Sequence, residues 1–283
     1  MIKIDWARID DCIKNALRED IGAGDHTSLA TIPSDHTGRA RLIIKEAGIL
    51  AGVDAAIRVA FHVNPLLKID VLIHDGTWVQ PGDIAFTIEG KTQDITIAER
   101  LILNIMQRMS GIATHTHRIQ SKISHTACKL LDTRKTTPNF RVFEKWAVKI
   151  GGGENHRFGL FDMILIKDNH VDFAGSMNNA IQNVVTYLNE KQIEIPVEIE
   201  ARNMEDVQTI VESNIAFRIL LDNFTPQQIK EAVDWIDGRI LTEASGGITE
   251  ENVVAYAEAG VDFISMGALT HQVHSLDFSL KSF

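Results

Sequence analysis

One pattern governs the chain from Gly111 onward. Short apolar runs, each ending on charged, amide or glycine residues, alternate with stretches whose apolar residues recur at helical spacing. The runs are Lys129–Leu131, Met163–Ile166, Val197–Ile199, Ile219–Leu221, Leu241–Glu243 and Phe263–Ser265, and helical patterns such as Met204–Ser213, Gln227–Ile236 and Glu251–Ala259 fill most of the intervals. Brief apolar strands separated by helices pair in parallel and bury both faces. Closed into a ring this is a β/α barrel; left open it is a doubly wound sheet. No Gly-x-Gly-x-x-Gly turn opens the region, so the sequence predicts an α/β fold with an incomplete β/α barrel.

Before Gly111 the pattern differs. Strand-like runs at Arg39–Lys45, Ile69–Ile73 and Ile84–Ile88 are separated by His74-Asp75-Gly76 and Gln80-Pro81-Gly82-Asp83, with helical patterns at Trp6–Leu17 and Val53–His62. Ile97–Met109 follows as a helix with a stripe of Leu101, Ile105 and Met109. This predicts an α+β N-terminal domain over 1–111, a short connection at Gly111, and a barrel over 112–274.

Composition narrows the function. A net charge of −10 argues against a nucleic-acid binder, although a basic pocket can sit on an acidic chain. No apolar run approaches the roughly 20 residues of a membrane helix, and residues 1–20 lack the apolar centre of a secretory signal. Cys12 and Cys128 are the only cysteines; they read as buried free thiols in a cytoplasmic protein.

The chemistry gathers at strand ends. Arg134 and Lys135 follow the first barrel run, Lys167 the second, Glu200 the third and Asp222 the fourth, and Ser245-Gly246-Gly247 and Gly267 follow the last two. Barrel active sites are built at this end of the strands. The glycine turns suit a phosphate, since glycine lets backbone N–H groups approach an anion. Arg134, Lys135, His156, Arg157 and Lys167 form a basic constellation suited to carboxylates. A helix over Phe140–Ile150 ends at Gly151-Gly152-Gly153, with Phe158 and Leu160 as anchors for His156-Arg157, and Arg141, Lys145 and Lys149 read as its solvated face. Glu200 and Asp222 suit sugar hydroxyls, a cationic sugar carbon or Mg²⁺ held through water. Glu198, one strand period earlier, faces the same side in a supporting role. His115, His117, His271 and His274 show no metal-ligand pattern.

The blocks Asp132-Thr133-Arg134-Lys135-Thr136-Thr137-Pro138, Gly151-Gly152-Gly153-Glu154-Asn155-His156-Arg157 and Leu165-Ile166-Lys167-Asp168-Asn169-His170 resemble the quinolinate phosphoribosyltransferase family. Val197–Glu200, Leu221–Phe224, Glu243–Ile248 and Ile264–Gly267 match further blocks in the same order, so the resemblance covers nearly the whole chain. Asn139 stands where glycine is expected and Trp146 where tyrosine is more usual; asparagine tolerates a left-handed backbone, and an aromatic packing role absorbs the second change.

The resemblance implies transfer of a phosphoribosyl group from phosphoribosyl pyrophosphate to quinolinate with decarboxylation, a pentosyl transfer in NAD biosynthesis. It implies that Arg134, Lys135, His156, Arg157 and Lys167 bind the dicarboxylate and diphosphate. Lys135, Lys167, Glu200 and Asp222 would carry the catalysis, and Glu200 and Asp222 would meet ribose and Mg²⁺. Ser245, Gly246, Gly247 and Gly267 would hold the 5-phosphate. It further implies that the N-terminal α+β domain is sandwich-like, at least a homodimer in which Arg100 enters the partner's site, and a tail, 275–283, that returns to the N-terminal domain. The residues alone leave two other readings open: a Schiff-base aldolase using Lys167, and a phosphate-binding barrel without catalysis.

Overall fold

A computed structural model describes residues 4–283. Contacts divide the chain into two compact units, one of residues 1–118, 135–153 and 269–283, the other of residues 119–134 and 154–268.

The first unit is α+β. In chain order it contributes α1 (Trp6–Ile21), α2 (His26–Thr31), β1 (Thr37–Ile44), β2 (Gly48–Ile49), α3 (Val53–Val63), β3 (Lys68–Val71), β4 (Trp78–Val79), β5 (Ile84–Lys91) and the long α4 (Thr92–Lys122). The other unit begins its sheet with β6 (Lys129–Leu131), and α5 (Arg141–Ile150) belongs to the first. The tail strand β12 (Phe278–Ser282) pairs antiparallel with β1, giving a sheet ordered β12-β1-β5-β3. Alternate residues of β1, among them Leu42 and Ile44, are fully buried with Phe86 and Ile88 of β5, as a sheet with one covered face requires.

The second unit continues with β7 (Ile164–Ile166), α6 (Asp168–Ala174), α7 (Met177–Lys191), β8 (Val197–Ala201), α8 (Met204–Ser213), β9 (Arg218–Asp222), α9 (Pro226–Ile236), β10 (Leu241–Ser245), α10 (Val253–Glu258) and β11 (Phe263–Ser265); α11 (Ala268–His271) after it belongs, but for its first residue, to the first unit. Six parallel strands run in the order β6-β11-β10-β9-β8-β7. The ends of that order, β6 and β7, do not pair with each other; a single parallel bridge from Leu131 to Glu154 flanks β6. This is an incomplete β/α barrel. Its helices start on caps written in the sequence: Ser176, Asn203 and Thr225 each accept a backbone N–H of the first turn.

Several local expectations are corrected. Ile97–Met109 is only the middle of α4, and Gly111 lies inside that helix rather than in a connection. The glycine serves packing: a Cβ there would collide with the carbonyl oxygen of His274, where the chain turns into its tail. Lys145 is 3 % exposed, not solvated, because α5 is covered on more than one side, by Trp6 of α1 against Trp146 and by Arg108 of α4 on Glu144. Leu160 anchors nothing, being 71 % exposed; Asp162 instead accepts the N–H groups of Phe158 and Gly159 at 2.6 and 2.8 Å. Cys128 is buried and its thiol is pushed up to about 12 by burial, whereas Cys12 is only half-buried. Asn139 does take the left-handed conformation, at φ 62°.

Glycine in a helix interior ordinarily costs about 1 kcal/mol relative to alanine. At Gly111 the sign should reverse, since overpacking against a backbone carbonyl costs about 1–3 kcal/mol. Gly111→Ala should therefore lower the thermal midpoint in calorimetry; a rise would show that the tail yields freely.

Candidate active site

Inside the barrel unit the strands present polar residues in two layers. Side chains two apart on a strand share a face. On β8 Glu198 and Glu200 therefore point the same way, as do Arg218 and Asp222 on β9, and Glu243 and Ser245 on β10. Glu198 pairs in register with Arg218, Glu243 and Glu200 each with Leu220, and Ser245 with Asp222; side-chain contacts join Glu243 to Glu198 and Arg218 in a buried lower layer, and Glu200, Asp222 and Ser245 make up the upper layer toward the strand ends.

The lower layer is a closed ion cluster. Arg218 donates from Nε and Nη2 to the two oxygens of Glu198 at 2.8 and 3.0 Å, and its Nε lies 3.1 Å from Glu243 Oε2. His156 Nε2 lies 2.9 Å from Glu198 and 3.6 Å from Glu243. Its other ring nitrogen, Nδ1, accepts the backbone N–H of Arg157 at 2.7 Å, which sets the tautomer with hydrogen on Nε2. Neither carboxylate has any exposed surface. Burial raises the Glu243 carboxyl well above the usual range, and the charge of Glu198 raises it further. Burial opposes ionisation of Glu198 too, but hydrogen bonds from His156 and Arg218 outweigh it and hold that carboxyl low. The two acids thus differ: Glu198 is favoured as the ionised partner of Arg218, and Glu243 resists ionisation. The donor atoms of His156, Glu198 and Glu243 lie within 4.8 Å of one another, a set that could hold a divalent cation, although Arg218 already supplies the positive charge there.

Above it the strand ends open outward. Glu200 is raised by burial and then by the charge of Asp222, with Lys167 acting in the opposite sense. The N–H of Asp168, at the start of α6, points to Glu200 Oε1 at 3.4 Å. Lys167 is exposed, its backbone N–H donating to His170 Nδ1 at 2.9 Å. Asp132, fully buried at the end of β6, accepts the His156 N–H at 2.9 Å and the Asn155 side chain at 2.5 Å, and so ties the segment of Arg157 to the strand. Burial lowers the Arg157 guanidinium and the charge of Arg134 lowers it further, so Arg134 stands near enough for its charge to act on Arg157. Such a pair is matched by an anion with more than one charge. After β10, Gly246 (φ 92°) and Gly247 (φ 62°) turn left-handed, and a Cβ on Gly246 would strike the Asn223 side chain.

The structure therefore brings Arg134, His156, Arg157, Lys167, Glu200, Asp222, Ser245, Gly246, Gly247 and Gly267 into the barrel unit at strand ends or the loops after them. Arg100, exposed on α4, and Lys135 belong to the other unit. Sequence reasoning missed Arg218, Glu243 and Asp132. For Arg218 a signal was present: the buried-strand pattern is interrupted by opposite charges, Glu198 and Arg218, which come to matching heights on adjacent strands.

This is the barrel and strand-end site of a phosphoribosyl transferase. The sequence family "Quinolinate phosphoribosyl transferase, C-terminal domain" matches over residues 112–281 and its N-terminal domain over 25–110, and the chain belongs to that family. It is 46 % identical over 284 residues to the chloroplastic nicotinate-nucleotide pyrophosphorylase [carboxylating] of Arabidopsis thaliana, covering 95 % of this chain and 81 % of that one. To the corresponding Mycobacterium leprae protein it is 40 % identical, with 95 % of each chain covered. Among solved structures, NadC from Streptococcus pyogenes superposes with a TM-score of 0.92 at 35 % identity over 100 % of both chains. The nicotinate-nucleotide pyrophosphorylase of Francisella tularensis does so with 0.91 at 37 % over 99 % and 98 %.

The division of charge in the lower layer has a measurable consequence. Glu243→Gln replaces a neutral acid with a neutral amide and should change unfolding free energy by less than about 1 kcal/mol. Glu198→Gln strands the Arg218 charge and should cost about 3–5 kcal/mol. Urea unfolding at neutral pH measures both, and equal losses would mean the proton sits elsewhere.

Proposed function

We propose that this chain is a carboxylating nicotinate-nucleotide pyrophosphorylase, transferring phosphoribose from phosphoribosyl pyrophosphate to the ring nitrogen of quinolinate. The products are nicotinate mononucleotide, diphosphate and carbon dioxide, and the reaction serves NAD biosynthesis. The observation that carries the reading is the pairing of Arg134 with Arg157 on a barrel whose neighbouring strands end in Glu200 and Asp222. The paired guanidiniums suit a dicarboxylate, and the acids suit a sugar carbon that becomes cationic.

In the reaction the pyridine nitrogen forms a bond to ribose C1 as the bond to diphosphate breaks, the electron pair leaving with the diphosphate. Arg134, Lys135, Arg157 and Lys167 neutralise the carboxylates and the departing anion. Glu200 and Asp222 stabilise positive charge on the sugar. The nitrogen is then a pyridinium, so the pair left on C2 when its carboxylate departs as carbon dioxide is stabilised by the adjacent positive charge, and C2 takes up a proton. His156, with both ring nitrogens engaged in the interior, acts by holding Arg157. The glycine turns at Gly246-Gly247 and Gly267, with Ser245, suit the 5-phosphate. The charge of Asp222 raises the cost of ionising Glu200, and a divalent cation beside them would relieve it, so they would hold Mg²⁺, directly or through water. That ion, when bound, supplies neutralisation of the diphosphate.

Carbon dioxide release from quinolinate with phosphoribosyl pyrophosphate and Mg²⁺ tests the reading. Turnover is expected with quinolinate and not with nicotinate, and Glu200→Ala and Asp222→Ala should lower turnover more than quinolinate affinity. Comparable turnover with nicotinate would refute the dicarboxylate site.

The exposed Arg100 fits a homodimer in which each subunit lends this arginine to its partner's site. Arg100→Ala and Lys135→Ala should each inactivate the enzyme, and mixing them after dissociation should restore about one quarter of wild-type activity. Heterodimers seen by native mass spectrometry without recovery would show that Arg100 acts within its own chain or not at all.

A further inference from the structure

The loop after β6 is held by a clamp that none of these roles uses. Arg108, on α4, donates from Nε and Nη2 to Glu144 Oε1 at 3.1 and 2.9 Å. The same guanidinium donates from Nη1 to the carbonyl of Val273 at 3.0 Å and from Nη2 to the carbonyl of Thr270. Glu144, on α5, is fully buried; its Oε2 accepts the N–H of Thr137 at 3.0 Å and its Oε1 the Thr137 hydroxyl at 2.9 Å. Thr270, also fully buried, donates its hydroxyl to the carbonyl oxygen of Lys135 at 2.7 Å. The backbone of Lys135 is thus gripped at its own carbonyl by Thr270 and two residues later by Glu144, and both grips converge on Arg108.

A fully buried carboxylate is an expensive way to hold two helices together, since an apolar contact of similar volume commonly serves as well. What the ionic version adds is direction. The planar guanidinium presents fixed donors to three acceptors at once, and the carboxylate turns its remaining capacity on one loop residue. We infer that Arg108 and Glu144 are positioning residues for Lys135. They fix the backbone from which that lysine meets the dicarboxylate in the reaction proposed above, on which this inference rests. Lysine has long side-chain freedom, so its effective charge at one point depends on where its backbone is anchored.

The test uses the intact enzyme with quinolinate, phosphoribosyl pyrophosphate and Mg²⁺. Arg108→Lys and Glu144→Gln should each raise the KM for quinolinate roughly tenfold, the scale set by one charge-assisted hydrogen bond to the substrate. A merely structural role would shrink the folded fraction, lowering apparent kcat with KM unmoved. Thr270→Val removes a single hydroxyl at nearly constant volume and should shift KM in the same direction even where Arg108→Lys folds poorly. In a Lys135→Ala background, where turnover is lost and quinolinate binding is read as Kd by titration calorimetry, the three substitutions should leave Kd where Lys135→Ala alone puts it, because the group they position is gone. Unmoved KM values in an active enzyme, or effects that add fully to Lys135→Ala, would overturn the inference alone. A wild-type chain that does not turn over quinolinate would overturn the functional reading and this inference with it.

Discussion

Arg218 is 4 % exposed among parallel strands, where an unpaired charge would cost several kcal/mol, a large share of the roughly 5–15 kcal/mol that holds a typical domain folded. The strands can close around it only if Glu198 arrives on the same face at the same height. A slip of one residue in the β8–β9 register would turn Glu198 toward the helices and leave the guanidinium bare. The ion pair therefore fixes the register, and the register fixes the layer above. Once Glu198 and Arg218 face inward, the period of two places Glu200 and Asp222 inward as well, at the mouth, on neighbouring strands. The site acids are held apart and aimed by a pair that touches neither.

Glu243 shows why this cluster is not simply a salt bridge. Two carboxylates beside one guanidinium cannot both ionise without water. Burial and the Glu198 charge both push the Glu243 carboxyl up, so Glu198 is favoured as the charged partner of Arg218. His156 completes the arrangement by passing the cluster's fixed geometry outward: Glu198 sets the ring, the ring's Nδ1 receives the Arg157 N–H, and Asp132 receives the N–H of His156 itself. The position of Arg157 thus depends on groups buried beneath it.

The barrel was largely legible in the sequence because its strands have no solvent face. Continuous short apolar runs announce themselves, and their polar ends mark the mouth; Lys167, Glu200, Asp222 and Ser245 were read from that alone. Residues whose meaning depends on a tertiary neighbour were not legible. Gly111 looks like a break in a helical pattern, and only the carbonyl of His274 reveals that it keeps the helix and admits the tail. Lys145 sits at a solvent-facing phase of α5, but that phase presumes one covered side, and α5 has more. Arg218 and Glu243 hid as flanking charges of apolar runs, since an isolated arginine or glutamate at a strand end is ordinary until the register pairs them.

The two kinds of site residue are thus fixed by different physics. Glu200 and Asp222 stand on strands, and their placement follows from backbone pairing and side-chain alternation, which a substitution in a loop can barely disturb. Lys135 stands after a strand that has already ended, in a segment with few ladder bonds to hold it. Such a loop is ordered only by specific hydrogen bonds to its backbone, and each must be supplied by a side chain of defined reach. That is why polar side chains of α4, α5 and α11 cluster where the loop passes: Thr137 is met by Glu144, Lys135 by Thr270, and Glu144 and the Thr270 carbonyl are in turn met by the fork of Arg108. A flexible lysine would lose most of its rotamer freedom on binding an anion, a cost of up to about 2 kcal/mol. Anchoring its backbone beforehand confines what binding must still order to the side chain.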